Sequence, residues 1–272
     1  MSEAEVIAAT PAPRTRQSLG ADLGAAGLAA GMTVLVHASL SAIGWVAGGP
    51  VAVIEALFDA VGATGTLVMP AQSGHLSDPA RWRAPPVPTA WIEVIRSKTP
   101  AYDPATTPTR GMGAIAELFR TWPGTERSAH PNCSFTANGP EAADLLGDHR
   151  LDSPLGEHSP LARLYERNAT ILLIGVGFDS CTMLHLAEMR AWPDRKAAEE
   201  AAPVLVDGAR RWVTYRAPPT GEMEHFSDLG QALMQTGQAR RIRVGSADSI
   251  VIGARDLVDA AVARWRVLPP VA

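Results

Sequence analysis

Cysteine is scarce in this chain: Cys133 and Cys181 are the whole complement, and they form no CxxC pair. No disulfide framework is expected, and with no secretory leader evident the two read as reduced thiols of a cytoplasmic protein. Long apolar runs are missing as well, since every one is strand-sized and broken by glycine or charge, far short of the roughly 20 residues that span a bilayer. Neither sign of charge dominates: 24 Lys and Arg face 28 Asp and Glu, a formal net charge of -4. That balance argues against a nucleic-acid partner and is compatible with a cationic small substrate. The GxSxG elbow, the HExxH helix, the Gly-Lys-Ser/Thr phosphate loop and the dinucleotide glycine spacing are all absent, which removes the usual signatures of acyl-enzyme hydrolysis and zinc proteolysis. No internal repeat or low-complexity linker divides the 272 residues, a length sufficient for one sizeable α/β domain. Residues 1–15, rich in Ala, Pro and Thr, read as a flexible N-terminal arm without function, ahead of a single domain over 16–272.

Local pattern then sets out the elements. A helix is expected near 15–26, a strand over 33–39, a helix over 51–61 behind Pro50, and a strand over 65–70 that closes a βαβ unit. Residues 71–108 are dense in Pro and Trp and read as a long loop around a short helix at 89–97. Helices follow at 112–120, 141–146 and from Pro160 to Tyr165, with a strand at 134–139. Residues 204–216 alternate like a hairpin turned at Asp207-Gly208. Helices over 225–236 and 254–266 flank a strand-like stretch at 240–252.

The most informative segment is 171–190, ILLIGVGFDSCTMLHLAEMR, where a buried strand runs into a helix that carries His185 in its first turns. Asp179, Ser180 and Thr182 offer N-cap side chains. The helix N-terminus disfavours imidazolium, and a neutral imidazole accepts a proton. Glu188, three residues on, shares the helical face, where it orients the ring or meets a cationic substrate. The alternative is an ordinary structural histidine on a half-buried helix.

A second constellation is 36–50, VHASLSAIGWVAGGP: a strand ending in His37, Ser39 and Ser41 leads through glycines to a helix N-terminus, which supplies hydroxyls and backbone N–H groups for an anion. It equally fits a plain tight turn. The carboxylates Asp179, Glu188, Glu222 and Glu224 form a third set, suited either to an ammonium-bearing substrate and a histidine partner or to a solvated surface. The histidines are scattered, and no metal is expected, although a site using His37 and His130 with carboxylates stays open as a competing reading.

Taken together, HASLSAIGWVAGGP (37–50), LVMPAQSGHLSDP (67–79), PAYDPATTPTRGMGAIAELFRTWPG (100–124), RSAHPNCSFTANG (127–139), LGEHSPLARLY (155–165) and ILLIGVGFDSCTMLHLAE (171–188) resemble the aminoglycoside 3-N-acetyltransferase family, the antibiotic N-acetyltransferases. The likeness runs over roughly 16–266. It implies an α/β fold of α/β/α layers around a mixed sheet, unlike the GNAT acetyltransferases, with an elaborated loop and helical region. It also implies acetyl-coenzyme A as co-substrate and an activity often tied to antibiotic resistance. Carried over by position, the coenzyme contacts would be His37, Ala38, Ser39, Leu40, Ser41, Gly44, Val46, Gly48 and Gly49, then Ser73, Thr109, Arg110, Met112, Gly113 and Ser159, with Thr182 near the thioester. His185 matches the active-site histidine, with Glu224 or Asp179 as its acidic partner. Asp78, Glu188 and Glu222 would face the substrate. Cys181 departs from the family, where a polar residue is expected. It invites an acyl-cysteine route or acts as a small packing residue.

The expected reaction is direct transfer to the 3-amino group of a 2-deoxystreptamine aminoglycoside, with backbone N–H groups of 179–182 stabilising the oxyanion. Another amine, such as an aminated nucleotide or metabolite, and a non-catalytic coenzyme-binding protein are the alternatives. The partners are then a small-molecule amine and coenzyme A, with no nucleic acid or membrane, in a monomer or homodimer.

Overall fold

The computed structural model describes residues 2–219 and 224–268. Its first element is a helix within residues 1–15, the stretch expected to form a flexible arm. Ser2 and Glu5 form a reciprocal capping box at the start of α1 (Glu3–Ala9), and Thr15 with Ser18 does the same for α2 (Arg16–Ala25). The S-x-x-E spelling at 2–5 was the local signal for the first helix.

Next come β1 (Thr33–Ala38), α3 (Leu40–Ile43), α4 (Gly49–Val61) and β2 (Thr66–Pro70), with β1 and β2 paired in parallel from Thr33 opposite Thr66. The Pro-rich stretch after β2 contains 3-10 turns and α5 (Ile92–Lys98). The chain continues through α6 (Gly113–Arg120), β3 (Glu126–Arg127), β4 (Phe135–Asn138), α7 (Ala142–Leu146), α8 (Pro160–Glu166), β5 (Thr170–Ile174) and α9 (Met183–Ala191). A hairpin of β6 (Ala198–Val206) and β7 (Ala209–Ala217) turns at Asp207 and Gly208, whose φ angles of 50° and 73° are the two positive values that an Asp-Gly turn accommodates. Last are α10 (Glu224–Gln235), β8 (Arg240–Val244), β9 (Ala247–Gly253) and α11 (Ala254–Trp265). The single strand-like stretch expected at 240–252 is thus two antiparallel strands, folded back at Gly245 with φ 60°.

Seven strands form one mixed sheet in the order β3-β4-β2-β1-β5-β9-β8, and β6-β7 stand apart as a second, two-stranded sheet. The middle three, β2, β1 and β5, are parallel, while β4 and β9 run against them. Their runs of Val, Leu and Ile are buried on both faces because helices cover both sides. Leu19, Ile54, Leu57, Ile115 and Phe119 pack α2, α4 and α6 against one face. Leu161, Leu186, Phe226, Leu257 and Trp265 bring α8 to α11 onto the other. The result is the α/β/α layering. Among the described residues no helix is long and apolar enough to cross a membrane.

Three parallel strands end at the same edge, and the helices that follow β1 and β5 depart to opposite faces. Such a divergence leaves a crevice beyond the carboxyl ends of the strands, where ligands of α/β proteins bind.

Candidate active site

A cavity of about 860 Å³ occupies that crevice. Its wall is built from the end of β1 and the turn into α4, from Met69 to Gln72 at the end of β2, from the start of α6, and from the link between β5 and α9. Among the described residues the lining includes Glu3 and Asp179 but no lysine or arginine. The turn into α4 ends at Gly48, whose φ of 90° is left-handed, and no side chain caps the helix. Gly49 N–H donates to Val46 O at 2.9 Å and Pro50 has no N–H, which leaves the N–H of Val51 in the first turn of this 13-residue helix for water or an anion.

His185 is the third residue of α9, and its Nδ1 lies 2.5 Å from Glu188 Oε2. A carboxylate only accepts hydrogen bonds, so Nδ1 is the donor, and in the neutral ring Nε2 is the nitrogen that bears the lone pair. The pair is sequestered, with side-chain exposures of 12% for His185 and 2% for Glu188. The other Glu188 oxygen lies 3.7 Å from Arg195, which holds a charge of opposite sign beneath the dyad. Phe226 of α10 meets the imidazole edge-on with 5.2 Å between ring centroids. That contact depends on Gly230, since a Cβ there would stand 2.1 Å from the Phe178 ring, and α10 would be pushed off the turn that leads into α9.

Beside the dyad, His37 Nε2 accepts the backbone N–H of Thr182 at 3.2 Å and lies 2.9 Å from the Thr182 hydroxyl. Nε2 is thereby the unprotonated nitrogen, and burial pushes the pKa of His37 down to about 4, so the ring is neutral near pH 7. The N–H groups of Ser180 and Cys181 donate to Gly177 and Phe178 carbonyls at 3.1 and 2.9 Å. Of the backbone donors expected to hold an oxyanion, those of Ser180, Cys181 and Thr182 are already engaged, because the 3-10 turn at Phe178–Ser180 and His37 use them first. Cys181 is buried, and burial raises its thiol pKa to about 12, so it packs as a small apolar group and offers no thiolate.

A profile of the aminoglycoside 3-N-acetyltransferase family matches residues 35–266. The chain belongs to that family. It is 48% identical to the SPbeta prophage-derived aminoglycoside N(3')-acetyltransferase-like protein YokD of Bacillus subtilis (strain 168), over 94% of this chain and 93% of the relative. The crystal structure of YokD superposes with a TM-score of 0.93 at 47% identity, covering 96% of each chain. Aminoglycoside N(3)-acetyltransferase VIII of Streptomyces fradiae is 40% identical over 95% of this chain and 94% of its own. A solved structure described as AAC-IIIb binary with CoASH aligns at a TM-score of 0.84 and 32% identity, over 95% of this chain and all of that one. Membership makes the protein an acyltransferase with a non-GNAT fold.

Of the residues the family likeness nominated, His37, Ala38, Ser39, Leu40, Ser41, Gly44, Val46, Gly49, Met112, Gly113, Asp179, Thr182 and His185 line the one cavity. Others stand elsewhere. Ser159 is buried and caps α8, accepting from Leu161 N–H and donating to Gly156 O. Ser73 is buried beneath the wall, where it takes a hydrogen bond from Arg127 at 2.6 Å and donates to Pro108 O. Thr109 and Arg110 use their backbone N–H groups on Glu117 and on Gln72 O, and Gly48 serves as the cap of α4. Asp78, expected to face the substrate, is paired with Arg96 at 2.7 Å. Glu188, also expected there, lies buried under His185, because the i,i+3 spacing stacks it on the ring. Glu222 and the side chain of Glu224 fall outside the described residues. His130 keeps company with Asn132, Cys133 and His149, in a cluster separate from that of His37, and no metal-holding group of three His, Cys, Asp or Glu occurs among the described residues. Pattern reasoning gave no function to Glu3 and Val6, which stand in the stretch read as an arm, whereas Trp45 and Gln72 of the lining lay inside the segments 36–50 and 67–79 without a role of their own.

Proposed function

We propose that the protein transfers the acetyl group of acetyl-coenzyme A to an amine by direct attack, with His185 Nε2 as general base and Glu188 as its positioning partner, the acceptor being the 3-amino group of a 2-deoxystreptamine aminoglycoside. The His185–Glu188 dyad at the cavity wall carries this reading, because it fixes the tautomer that leaves Nε2 able to take a proton. The amine nitrogen bonds to the thioester carbon while its proton passes to Nε2; the C–S bond then breaks, and the imidazolium returns the proton to the departing sulfur. Glu188 stabilises the transient imidazolium.

Coenzyme fits the chemistry of the wall: the Ser39 and Ser41 hydroxyls supply neutral donors for phosphates, and the apolar flank of Leu40, Val46, Met112 and Ile115 suits a pantetheine arm. The acceptor assignment rests on the activity that the relatives carry together with a lining that, among the described residues, holds Glu3 and Asp179 and no lysine or arginine, which favours a polycation. His185→Ala, assayed by thiol release with acetyl-coenzyme A and a panel of aminoglycosides, should lose about 10²-fold or more in turnover while binding coenzyme nearly as before. Wild-type speed in that variant refutes the base assignment. Acetylation of other amines alone, with no aminoglycoside consumed, moves the acceptor and leaves the chemistry standing.

A further inference from the structure

The segment ahead of α2 carries no motif of the family likeness, yet Glu3 and Val6 of α1 form part of the cavity wall. This helix has seven residues and buries none of them, and Ile7 stands 52% exposed. Helices shorter than about 12 residues are marginal in water unless tertiary packing holds them. What holds α1 is its trailing tether. Thr10 Oγ1 accepts the N–H of Trp45 at 2.9 Å and donates to Val6 O at 2.6 Å. Arg14 continues the seam, donating to Trp45 O at 2.9 Å, accepting from Ala47 N–H at 2.8 Å, and reaching Ser246 Oγ with its guanidinium at 3.0 Å. Gly44 permits the approach: its φ is 94°, and a Cβ there would sit 2.9 Å from Thr10 Oγ1. The tether is therefore fastened to the turn that leads into α4, whose Gly44, Trp45 and Val46 line the cavity assigned to coenzyme.

We propose that α1 is a ligand-ordered wall that closes over bound coenzyme with Val6 against it, an inference resting on the coenzyme reading of the cavity. Val6 is half-buried at the cavity wall, so a molecule in the cavity would cover the rest of its apolar surface. Binding then orders the helix, and by linkage the helix tightens binding by the same factor.

The test uses coenzyme A alone with the full chain and with a chain lacking residues 2–9, a deletion that removes no buried residue. Calorimetry should show coenzyme A bound about 5- to 20-fold more weakly by the shortened chain and by Val6→Asp, as expected for losing contact with one aliphatic side chain. Ile7→Ser, outside the lining, should bind like the parent. Hydrogen exchange in residues 3–9 of the full chain should slow about tenfold when coenzyme A is added. Equal affinity of the full and shortened chains overturns the proposal, as does exchange slowed by an aminoglycoside and not by coenzyme A. No coenzyme A binding by the full chain overturns the parent reading, which separates the two failures.

Discussion

Glu188→Gln is the sharpest probe of the site, because it keeps the shape of the side chain and removes only the charge beneath His185. In the wild type the carboxylate oxygen lies 2.5 Å from Nδ1. When Nε2 takes up the amine's proton, the two charge centres stand roughly 4 Å apart, and at an effective dielectric of about 20 that attraction amounts to about 4 kcal/mol. Arg195, 3.7 Å from the same carboxylate, offsets part of it. A fall of about 10²- to 10³-fold in kcat follows, since each 1.4 kcal/mol or so on the barrier is a factor of ten. The assay is thiol release at saturating acetyl-coenzyme A and amine, with coenzyme affinity measured separately to show that the cavity persists. The double variant His185→Ala with Glu188→Gln should be little worse than His185→Ala alone, because partners that act as a unit are not additive. A Glu188→Gln enzyme within threefold of wild type, beside a crippled His185→Ala, would sink the dyad.

Thr182→Val should lower stability by about 1–2 kcal/mol, because it removes the hydroxyl that donates to the buried His37 Nε2, while Thr182→Ser keeps most of it; a melting temperature of the Val variant equal to wild type would contradict that hydrogen bond. Cys181→Ser should stay active and the wild-type thiol should resist iodoacetamide near neutral pH, because burial raises its pKa to about 12; an acetylated Cys181 seen by mass spectrometry would overturn this. Acid should unfold the protein early. His37, His130 and His149 are buried, with pKa values lowered by desolvation to about 4, 3 and 4, against the ordinary 6.5 of the unfolded chain. Their depressed values mean that stability is complete above pH 6.5 and falls as pH drops toward 4, because the unfolded state takes up protons first. The loss is about 2 kcal/mol for each by pH 5. A melting temperature flat from pH 7 to 5 would contradict the neutral, buried placement of these rings.

The family and the layered fold were readable because their signals are local and repeated: apolar strands at β1, β2 and β5, glycines before α4, a histidine just inside α9. Individual roles were less so. Ser73, Ser159 and Asp78 look like binding side chains in a string of letters, yet a serine before a proline-led helix serves as a cap, and an aspartate meets whichever arginine the loop brings near. The dyad partner was ambiguous for a related reason. The i,i+3 spacing put Glu188 on the face of His185, while burial and the approach of Arg195 from beyond the end of α9 decide that it faces the ring.

Sequence alone therefore determined what is set within one element or one turn: strand and helix periods, the Asp207-Gly208 hairpin, the position of His185 near a helix start. Tertiary structure decided which of those elements share a wall. His37 and Thr182 are 145 residues apart and meet through one imidazole nitrogen, and α1 reaches the cavity only because its tether is stitched to the turn before α4. Contacts of that kind depend on strand order and layer packing, which side-chain periodicity along the chain does not encode.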